Sequence, residues 1–278
     1  MTASDDYGAA IYSKSSSLTI SITACVLKSC TADKNGGAVS LSGGNSLKIT
    51  DTFFENCVTN SYEDEPGGGG IYIAGSSSSL FIYSSTFSSC KANVQKIIRG
   101  GGGLFASRIQ ECYSFSCRFI SCSTYCAGGA AFFLKSNDAF LVSDSLFDGN
   151  HANVHAGAVR GVDHSVSAYV HLQFCFFIDN SAPDNNGNDF AVAPEISACP
   201  FLHCFSTAAS NRAAYAAGTT AFLYDDNWLP HDCNSFSHVS EKKQRVLHHH
   251  IIFLLSTILI PSLLLILSYS LWLLSPVL

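Results

Sequence analysis

Apolar and polar positions alternate in a short segment that recurs six times along the first two thirds of the chain. Each copy has two inner positions two residues apart, apolar except at Ser114, and an aromatic residue or leucine five residues after the second. Such alternation is typical of a strand with one buried face. The copies are Ile20/Ile22/Leu27, Leu47/Ile49/Phe54, Leu80/Ile82/Phe87, Cys112/Ser114/Phe119, Phe140/Val142/Phe147 and Val170/Leu172/Phe177. Because the spacing is constant, the chain is built from a repeat.

Two further blocks complete the repeat. Before the alternating segment stands a glycine-rich block: Gly36-Gly37-Ala38-Val39, Gly69-Gly70-Ile71, Gly102-Gly103-Leu104, Gly128-Gly129-Ala130-Ala131 and Ala156-Gly157-Ala158-Val159, with Gly8-Ala9-Ala10-Ile11 as a weaker first copy and Gly187-Asn188-Asp189-Phe190 as a degenerate last one. Three residues after the aromatic or leucine position stand Cys30, Cys57, Cys90, Cys122, Asn150 and Asn180. Each repeat therefore predicts three short strands, one for each block.

The repeat predicts an all-β fold, a parallel β-helix (solenoid) of about six or seven coils over residues 7–192. Equivalent residues of successive coils should stack about 4.8 Å apart. We therefore expect Phe87 and Phe119 to pack in one internal ladder. Glycine pairs fit sharp turns or places where coils approach closely, because glycine has no Cβ.

Cysteines form a second expected ladder, at the position that ends the third block. Stacked side chains point the same way, so the dihedral angle that a disulfide needs is hard to reach between them. Free, buried thiols are the prediction for Cys30, Cys57, Cys90 and Cys122. If the domain is extracellular, the better candidates for disulfides are the cysteines outside the ladder, Cys199, Cys204 and Cys233.

Two connections between repeats are longer than the others, 58–69 and 91–102. Loops that lengthen at one corner of a solenoid commonly build an interaction face. The alternative is a pair of solvated loops of opposite charge that attract each other. The first contains Tyr62, Glu63, Asp64 and Glu65, and the second contains Lys91, Gln95, Lys96 and Arg99.

The tail has a different pattern. Residues 193–245 lose the repeat and predict an irregular cap over the last coil. Residues 251–274 form an apolar run with no charged side chain, long enough to cross a bilayer as a helix, with Pro261 as the expected kink. We expect this run to anchor the protein in a membrane as a single C-terminal transmembrane helix.

The orientation of that anchor stays open. Lys242, Lys243 and Arg245 precede the apolar run, which by the positive-inside rule leaves the β-helix on the cytoplasmic side. A glycosylphosphatidylinositol-type tail, with small residues near Asn234 to Ser237, would instead place the β-helix outside. No secretory signal precedes Tyr7, which is expected if the chain is a shortened copy of a longer protein.

Charge and composition narrow the function classes. The net charge is −6 and the basic residues are scattered except at 242–245, so the basic face typical of nucleic-acid binding is missing. Nucleic acids are therefore not expected to be partners of this protein. Twelve cysteines in 278 residues suggest an oxidising compartment, but a cysteine at a core position also behaves as a small hydrophobe.

Candidate chemistry is sparse. Many parallel β-helices act on polysaccharides with paired carboxylates. Asp51 and Asp144 occupy equivalent sites, but the coils between them carry Ser84 and Ser116 there, and Asp148 and Asp179 do not recur with a nearby basic partner. Four histidines lack the spacing of zinc ligands: His151, His155, His164 and His171. The cysteines with regular spacing follow the strand register instead: Cys112, Cys117, Cys122 and Cys126. No catalytic residue, cofactor or metal ligand is predicted, and His248 to His250 are expected at the membrane interface.

The alternation of Gly-Gly-small-apolar and Phe-x-x-Cys/Asn blocks over residues 7–192 resembles the repeats of the polymorphic outer-membrane protein family and of related surface proteins of microbial eukaryotes. The resemblance implies a right-handed parallel β-helix displayed at a cell surface, with a role in adhesion or immune variation. The bacterial members end in a β-barrel, and the apolar run here leaves no room for one. Cys replaces Asn in four of the six copies, which departs from the asparagine ladder that the family pattern implies.

The sequence thus favours a membrane-anchored surface protein with a binding, adhesion or structural role and no catalysis. Its expected partners are the membrane and a glycan or a cell-surface protein. The alternative is a carbohydrate-active β-helix enzyme, a polysaccharide lyase or hydrolase.

Overall fold

A computed structural model describes residues 2–3, 7–61, 67–94, 100–136, 139–162, 169–183, 190–192, 201–202 and 205–206. Every strand pair among these residues is parallel, and each strand pairs with equivalent strands about one repeat away in the sequence. The fold is an all-β parallel solenoid. Each full coil runs through four sheets, which we name A to D in the order in which the chain enters them.

Sheet A follows the glycine-rich blocks and has seven strands: Ile11–Ser13, Val39–Ser42, Ile71–Ala74, Leu104–Ile109, Ala131–Ser136, Val159–Val162 and Phe190–Val192. Sheet B comprises the alternating segments, also in seven strands: Thr19–Thr23, Ser46–Thr50, Ser79–Tyr83, Glu111–Phe115, Ala139–Ser143, Tyr169–Gln173 and Phe201–Leu202. In sheet B, the inner positions of the repeat from Ile22 to Val142 are buried, including the polar Ser114.

Sheet C contains the aromatic position, in seven strands: Val26–Lys28, Phe53–Glu55, Thr86–Ser88, Arg118–Ile120, Leu146–Asp148, Phe176–Ile178 and Phe205–Ser206. Sheet D has six two-residue strands: Thr2–Ala3, Thr31–Ala32, Val58–Thr59, Lys91–Ala92, Ser123–Thr124 and His151–Ala152. A further two-stranded sheet pairs Gly67–Gly68 with Gly100–Gly101.

Sheet D corrects the expectation of three strands per repeat. The chain turns sharply between sheets C and D, so the residues after the Cys or Asn position form a strand of their own. The pattern extends past residue 192 as well, because Phe201–Leu202 and Phe205–Ser206 pair with the preceding strands of sheets B and C. Both pairs fall in the segment that was predicted to be an irregular cap.

A ladder of phenylalanine rings fills the interior beside sheet C. Phe54, Phe87, Phe119, Phe147 and Phe177 are partners in the strand register and are at most 1% exposed. Successive ring centroids lie 4.6, 4.8, 5.0 and 5.0 Å apart, and each pair of rings is parallel to within 8°. The predicted stacking of Phe87 on Phe119 is therefore confirmed.

The corners on either side of sheet C turn on residues in the left-handed region. Between sheets B and C these have φ of 47° to 54°, and between sheets C and D they have φ of 49° to 60°. Short polar residues and glycine tolerate this conformation better than others do. The first set is Ala24, Asp51, Ser84, Ser116, Asp144 and Phe174, and the second is Ser29, Asn56, Ser89, Ser121, Gly149 and Asp179.

The predicted cysteine ladder lies directly after the corner between sheets C and D. Its thiols are free and at most 3% exposed, as predicted. The sequence interpretation did not foresee that Cys57, Cys90 and Cys122 also donate hydrogen bonds to carbonyls one coil earlier. Cys57 Sγ lies 3.3 Å from the Leu27 oxygen, and Cys90 Sγ lies 3.6 Å from the Phe54 oxygen. Weak thiol hydrogen bonds thus replace the amide bonds of asparagine.

Asparagine takes over this corner ladder in the later coils. Asn150 Nδ2 donates to the Phe119 oxygen at 2.9 Å and to Asn180 Oδ1 at 2.8 Å, and Asn150 Oδ1 accepts from the Cys122 N–H at 2.9 Å. Asn180 Nδ2 donates to the Phe147 oxygen at 3.0 Å. The amides therefore bond the same set of carbonyls as the thiols do, with shorter contacts.

The glycine that begins each strand of sheet A is required by close approach. A Cβ on Gly69 would lie 2.1 Å from the Gly102 oxygen and 2.4 Å from the Lys91 nitrogen, and one on Gly102 would lie 2.0 Å from the Gly129 oxygen. These are backbone atoms of the next coil and of sheet D, which cannot move aside as a side chain could. The glycine position therefore packs each coil against the next coil and against the strand of sheet D that follows it in the chain.

Candidate binding surface

Among the residues whose side chains the structure describes, the outer face of sheet B presents the largest group of partly exposed aromatic side chains that stack on one another. Strands Ser79–Tyr83 and Glu111–Phe115 point Leu80, Ile82, Cys112 and Ser114 inward, all at most 1% exposed. The alternating residues must then point outward. These outward residues are Phe81, Tyr83, Tyr113 and Phe115, which we call the aromatic face.

The rings of the aromatic face share one orientation. Phe81 stacks on Tyr113 with centroids 5.6 Å apart and planes 12° apart, and Tyr83 stacks on Phe115 at 5.7 Å and 7°. Along the strand, Tyr113 and Phe115 are 6.2 Å and 8° apart. The strand register places Phe81 beside Tyr113 and Tyr83 beside Phe115, so the four rings form a two-by-two array.

Polar groups border this array on its sides. Ser79 precedes the rings on the same strand, and Ser84 and Ser116 follow them at the corner with sheet C, where both are exposed. The preceding coil places Lys48 in register with Phe81, and its Nζ lies 5.8 Å from the centroid of the Tyr83 ring. Aromatic rings edged by hydroxyls and one cation are equipped for contacts with both the apolar and the polar parts of a ligand.

Of the carboxylates considered for catalysis, most occupy the turns. Asp51 and Asp144 lie at the corner between sheets B and C, and Asp179 lies at the corner between sheets C and D, each with positive φ. Ser84 and Ser116 lie at the corner in the coils between Asp51 and Asp144, so the structure does not bring these two together. Asp148 is an outward residue of sheet C, flanked in the register by Ile120 and Ile178. The positions of Asp51, Asp144 and Asp179 are explained by the tolerance of aspartate for turns.

The two histidines of the cluster whose side chains the structure describes lie near sheet D. His151 is exposed and bonds Ser181 Oγ through Nδ1 at 2.9 Å and Asn153 Oδ1 through Nε2 at 2.8 Å. Burial, and to a lesser degree Arg160, lowers the pKa of His155 below its ordinary value. His164 lies outside the described residues, and the backbone alone is described for His171 on sheet B.

The four regularly spaced cysteines lie at separate places around one coil. Cys112 is an inward residue of sheet B, and Cys117 and Cys122 follow the two corners. Cys126 lies beyond sheet D, with its sulfur 3.1 Å from the Val94 oxygen. Within the described part of the chain, no group of three or more His, Cys, Asp or Glu residues is arranged to hold a metal ion.

The structure describes the two long loops only in part, because 62–66 and 95–99 lie outside the described residues. The attraction expected between the acidic and the basic loop stays a prediction. Lys91, at the start of the second loop, lies on sheet D with its Nζ 5.1 Å from the centroid of the Tyr125 ring.

Comparison with family models places the fold in a known class. The model described as "Right handed beta helix region" matches residues 2–190, more than half of the chain. The chain belongs to the right-handed β-helix family. Comparisons with curated proteins and with solved structures gave no match.

The sequence reasoning missed the aromatic face, although its signal was present. The inward positions of the alternating segment were compared between repeats, and the intervening outward positions were not. Aligned in the same way, those positions give aromatic residues in two successive copies only, Phe81 and Tyr83 followed by Tyr113 and Phe115. A cluster confined to two repeats is not needed for the fold, which points to function.

Proposed function

We propose that this protein is a membrane-anchored surface protein whose β-helix binds a ligand or another surface and catalyses no reaction. The aromatic face supports the binding role, because partly exposed rings on a rigid, hydrogen-bonded sheet offer apolar contact area at a low cost in conformational entropy. The resemblance of the blocks to polymorphic outer-membrane protein repeats supports a place at the cell surface.

The membrane anchor rests on residues 251–274, which lie outside the described residues. Their uncharged, apolar sequence is long enough to span a bilayer as a helix. Among the residues that the structure does describe, there is no helix with the length and apolar character needed to cross a membrane. The anchor is therefore a proposal from sequence, and experiment must test it directly.

Alkaline extraction of membranes tests the anchor. The full chain should remain in the membrane pellet, and the double variant Ile258→Lys/Leu265→Lys should move to the supernatant, since a lysine at the centre of a spanning helix costs about 2.5–3.5 kcal/mol. The matched control is Leu18→Lys/Val26→Lys, whose side chains are 45% and 68% exposed on the solenoid. Equal extraction of the wild type and the Ile258→Lys/Leu265→Lys variant would refute the anchor.

Display at the surface has a separate test. Cys25 is an exposed, free thiol of the β-helix. In a variant whose Cys199, Cys204 and Cys233 are replaced by serine, a membrane-impermeant maleimide should label Cys25 on intact cells, and a further Cys25→Ser change should abolish that labelling. Labelling that appears only after permeabilisation would place the β-helix inside the cell.

A further inference from the structure

His151 lies on sheet D between two serines of the neighbouring coils. The strand register pairs it with Ser123 on one side, and an isolated bridge pairs it with Ser181 on the other. Its Nδ1 lies 2.9 Å from Ser181 Oγ, and its Nε2 lies 2.8 Å from Asn153 Oδ1. We propose that this arrangement makes Ser181 a nucleophile that accepts an acyl group from a thioester. The site is separate from the aromatic face and goes beyond the proposed function.

The Asn153 amide sets the direction of these hydrogen bonds. With its Oδ1 assigned to the contact with the ring, Nε2 carries the ring proton and donates it, because an amide oxygen only accepts. In a neutral imidazole the other nitrogen, Nδ1, then accepts from the Ser181 hydroxyl. A hydroxyl that donates to an adjacent base is the arrangement that activates a serine for acyl transfer. Asn153 is a positioning residue, because it fixes the tautomer of His151 without touching the reacting oxygen.

The backbone holds the serine and the histidine beside each other. They directly follow Asn180 and Asn150, the paired members of the corner ladder, whose Nδ2 and Oδ1 atoms lie 2.8 Å apart. The Ser181 N–H donates to the Asn150 oxygen at 2.9 Å, and the Ser181 oxygen accepts from the Ala152 N–H at 3.0 Å. Two hydrogen-bonded chain segments thus present the nucleophile and its base together, which lowers the entropic cost of the reaction.

The hydrogen bonds of the backbone select the kind of acyl donor. The N–H groups of His151, Asn153 and Ser181 all donate to carbonyls, so none of these three is left to bind the oxyanion of a tetrahedral intermediate. One such donor contributes about 10²–10³ to the rate of acyl transfer. Amides and alkyl esters should therefore react slowly here. A thiolate leaves more readily, because a thiol is a much stronger acid than an alcohol or an amine, and this favours a thioester.

The transfer consumes the serine once. The Ser181 oxygen attacks the carbonyl carbon, the carbon–sulfur bond breaks, and His151 Nδ1 takes the hydroxyl proton and passes it to the departing thiolate. The products are an oxygen ester and a thiol. Hydrolysis of that ester again lacks the three N–H groups, so the acyl group stays on the chain. The step modifies the protein and turns over no substrate, which agrees with the proposed function. The three side chains are exposed, so a donor in solution reaches them.

Incubation of the full chain, in detergent, with a butanoyl thioester of N-acetylcysteamine tests the proposal. Neutral hydroxylamine then removes acyl groups from cysteines and leaves oxygen esters, and peptide mass spectrometry should find the butanoyl group on Ser181. His151→Ala should slow this acylation by about a hundredfold, as expected for the loss of a general base. The matched control is Ser123→Ala, which removes the other serine beside His151 and should leave the rate at Ser181 unchanged.

Variants of Asn153 test the tautomer. Asn153→Ala should lower the rate of acylation, and Asn153→Asp, which keeps an oxygen acceptor for the Nε2–H group, should restore it. A merely structural contact would give the same rate in both variants, and that result would overturn the positioning role. The nucleophile itself is overturned if Ser181 is not acylated, if His151→Ala reacts as fast as the wild type, or if Ser123 is acylated as fast as Ser181. Far-UV circular dichroism of each variant establishes that a lower rate does not come from unfolding.

Discussion

The same coils hold two stacks of aromatic rings, one inside the solenoid and one outside. The inner stack, of which Phe87 and Phe119 are members, continues through five coils, with rings at most 1% exposed and centroids 4.6 to 5.0 Å apart. The outer stack, the aromatic face, occupies two coils, is partly exposed, and has centroids 5.6 and 5.7 Å apart across the coils.

This difference separates residues that make the fold from residues that the fold displays. The inner spacing matches the distance between strands, about 4.8 Å, because the rings are packed between neighbours on every side. The outer rings have solvent on one side, and the register positions beyond them hold Lys48 and Leu141 without loss of the sheet. Stability should therefore depend on the inner stack, and binding on the outer one.

The largest effect is expected from Phe87→Ala in the inner stack. The substitution removes a fully buried ring and its stacking contacts with Phe54 and Phe119. It should lower the free energy of unfolding by about 3–5 kcal/mol. Chemical denaturation followed by circular dichroism measures this. A loss below about 1 kcal/mol would contradict the distinction between the two stacks.

The second largest effect is expected at alkaline pH, which should lower the free energy of unfolding. Burial raises the pKa of the Cys90 thiol. The pKa of the Cys112 thiol is raised mainly by burial and, to a lesser degree, by the nearby Cys117. Unfolded thiols ionise near pH 8.5. Above that pH the unfolded chain holds fewer protons than the folded one, so stability falls as the pH rises, by about 1.4 kcal/mol per thiol for each pH unit.

Denaturation experiments between pH 8 and 10 measure how steeply the stability falls with pH. Other titrating groups also contribute to this slope, and they do so equally in every variant. Cys112→Ala should make the decline less steep by about one thiol's contribution. Identical slopes in the wild type and in Cys112→Ala would show that the thiol is not held protonated by its surroundings.

A smaller effect is expected where asparagine replaces cysteine in the corner ladder. Asn150→Ala leaves the Cys122 N–H and the Phe119 oxygen without their amide partner, which should cost about 1–3 kcal/mol. Asn150→Cys should recover part of the loss, because a thiol at this corner bonds the equivalent carbonyl in earlier coils. Equal stability of the Ala and Cys variants would mean that the thiols only fill space.

The smallest effect is expected from Phe81→Ala in the outer stack. The ring is partly exposed, so its loss should change the free energy of unfolding by about 1 kcal/mol or less, as is usual for surface substitutions. The same denaturation experiment as for Phe87→Ala provides the comparison. A loss as large as that of Phe87→Ala would assign the aromatic face to the core rather than to binding.

The register of the solenoid could be predicted from sequence because the repeat specifies it many times over. Leu27 and the five phenylalanines that follow at the same position were aligned by spacing alone, and the structure pairs them in that order. The free state of Cys57 and Cys90 followed from the same register and is confirmed. Each repeat has the same alternation of apolar and polar positions, so a departure in one copy does not hide the register that the other copies share.

The turns could not be predicted with the same success, because a residue in a turn is chosen for its backbone conformation. Asp51 and Asp144 looked like candidate acids, yet their φ of 48° and 52° shows that they serve the corner between sheets B and C. A hydroxyl residue follows each of them, Thr52 or Ser145, and both hydroxyls are buried and bond backbone groups of neighbouring residues or coils. The apolar pattern of the sequence gives no sign of these buried hydroxyls.

The sequence by itself determined the repeat, the strand register, the inner aromatic ladder and the class of fold, because burial imposes the same apolar positions on every coil. Only the tertiary structure decided the four-sided coil, the exchange of thiol for amide in the corner ladder, and the aromatic face. Phe81 and Tyr113 are 32 residues apart in the chain. They become neighbours only because the coils between them close and stack, which places outward residues side by side whether or not the core requires them.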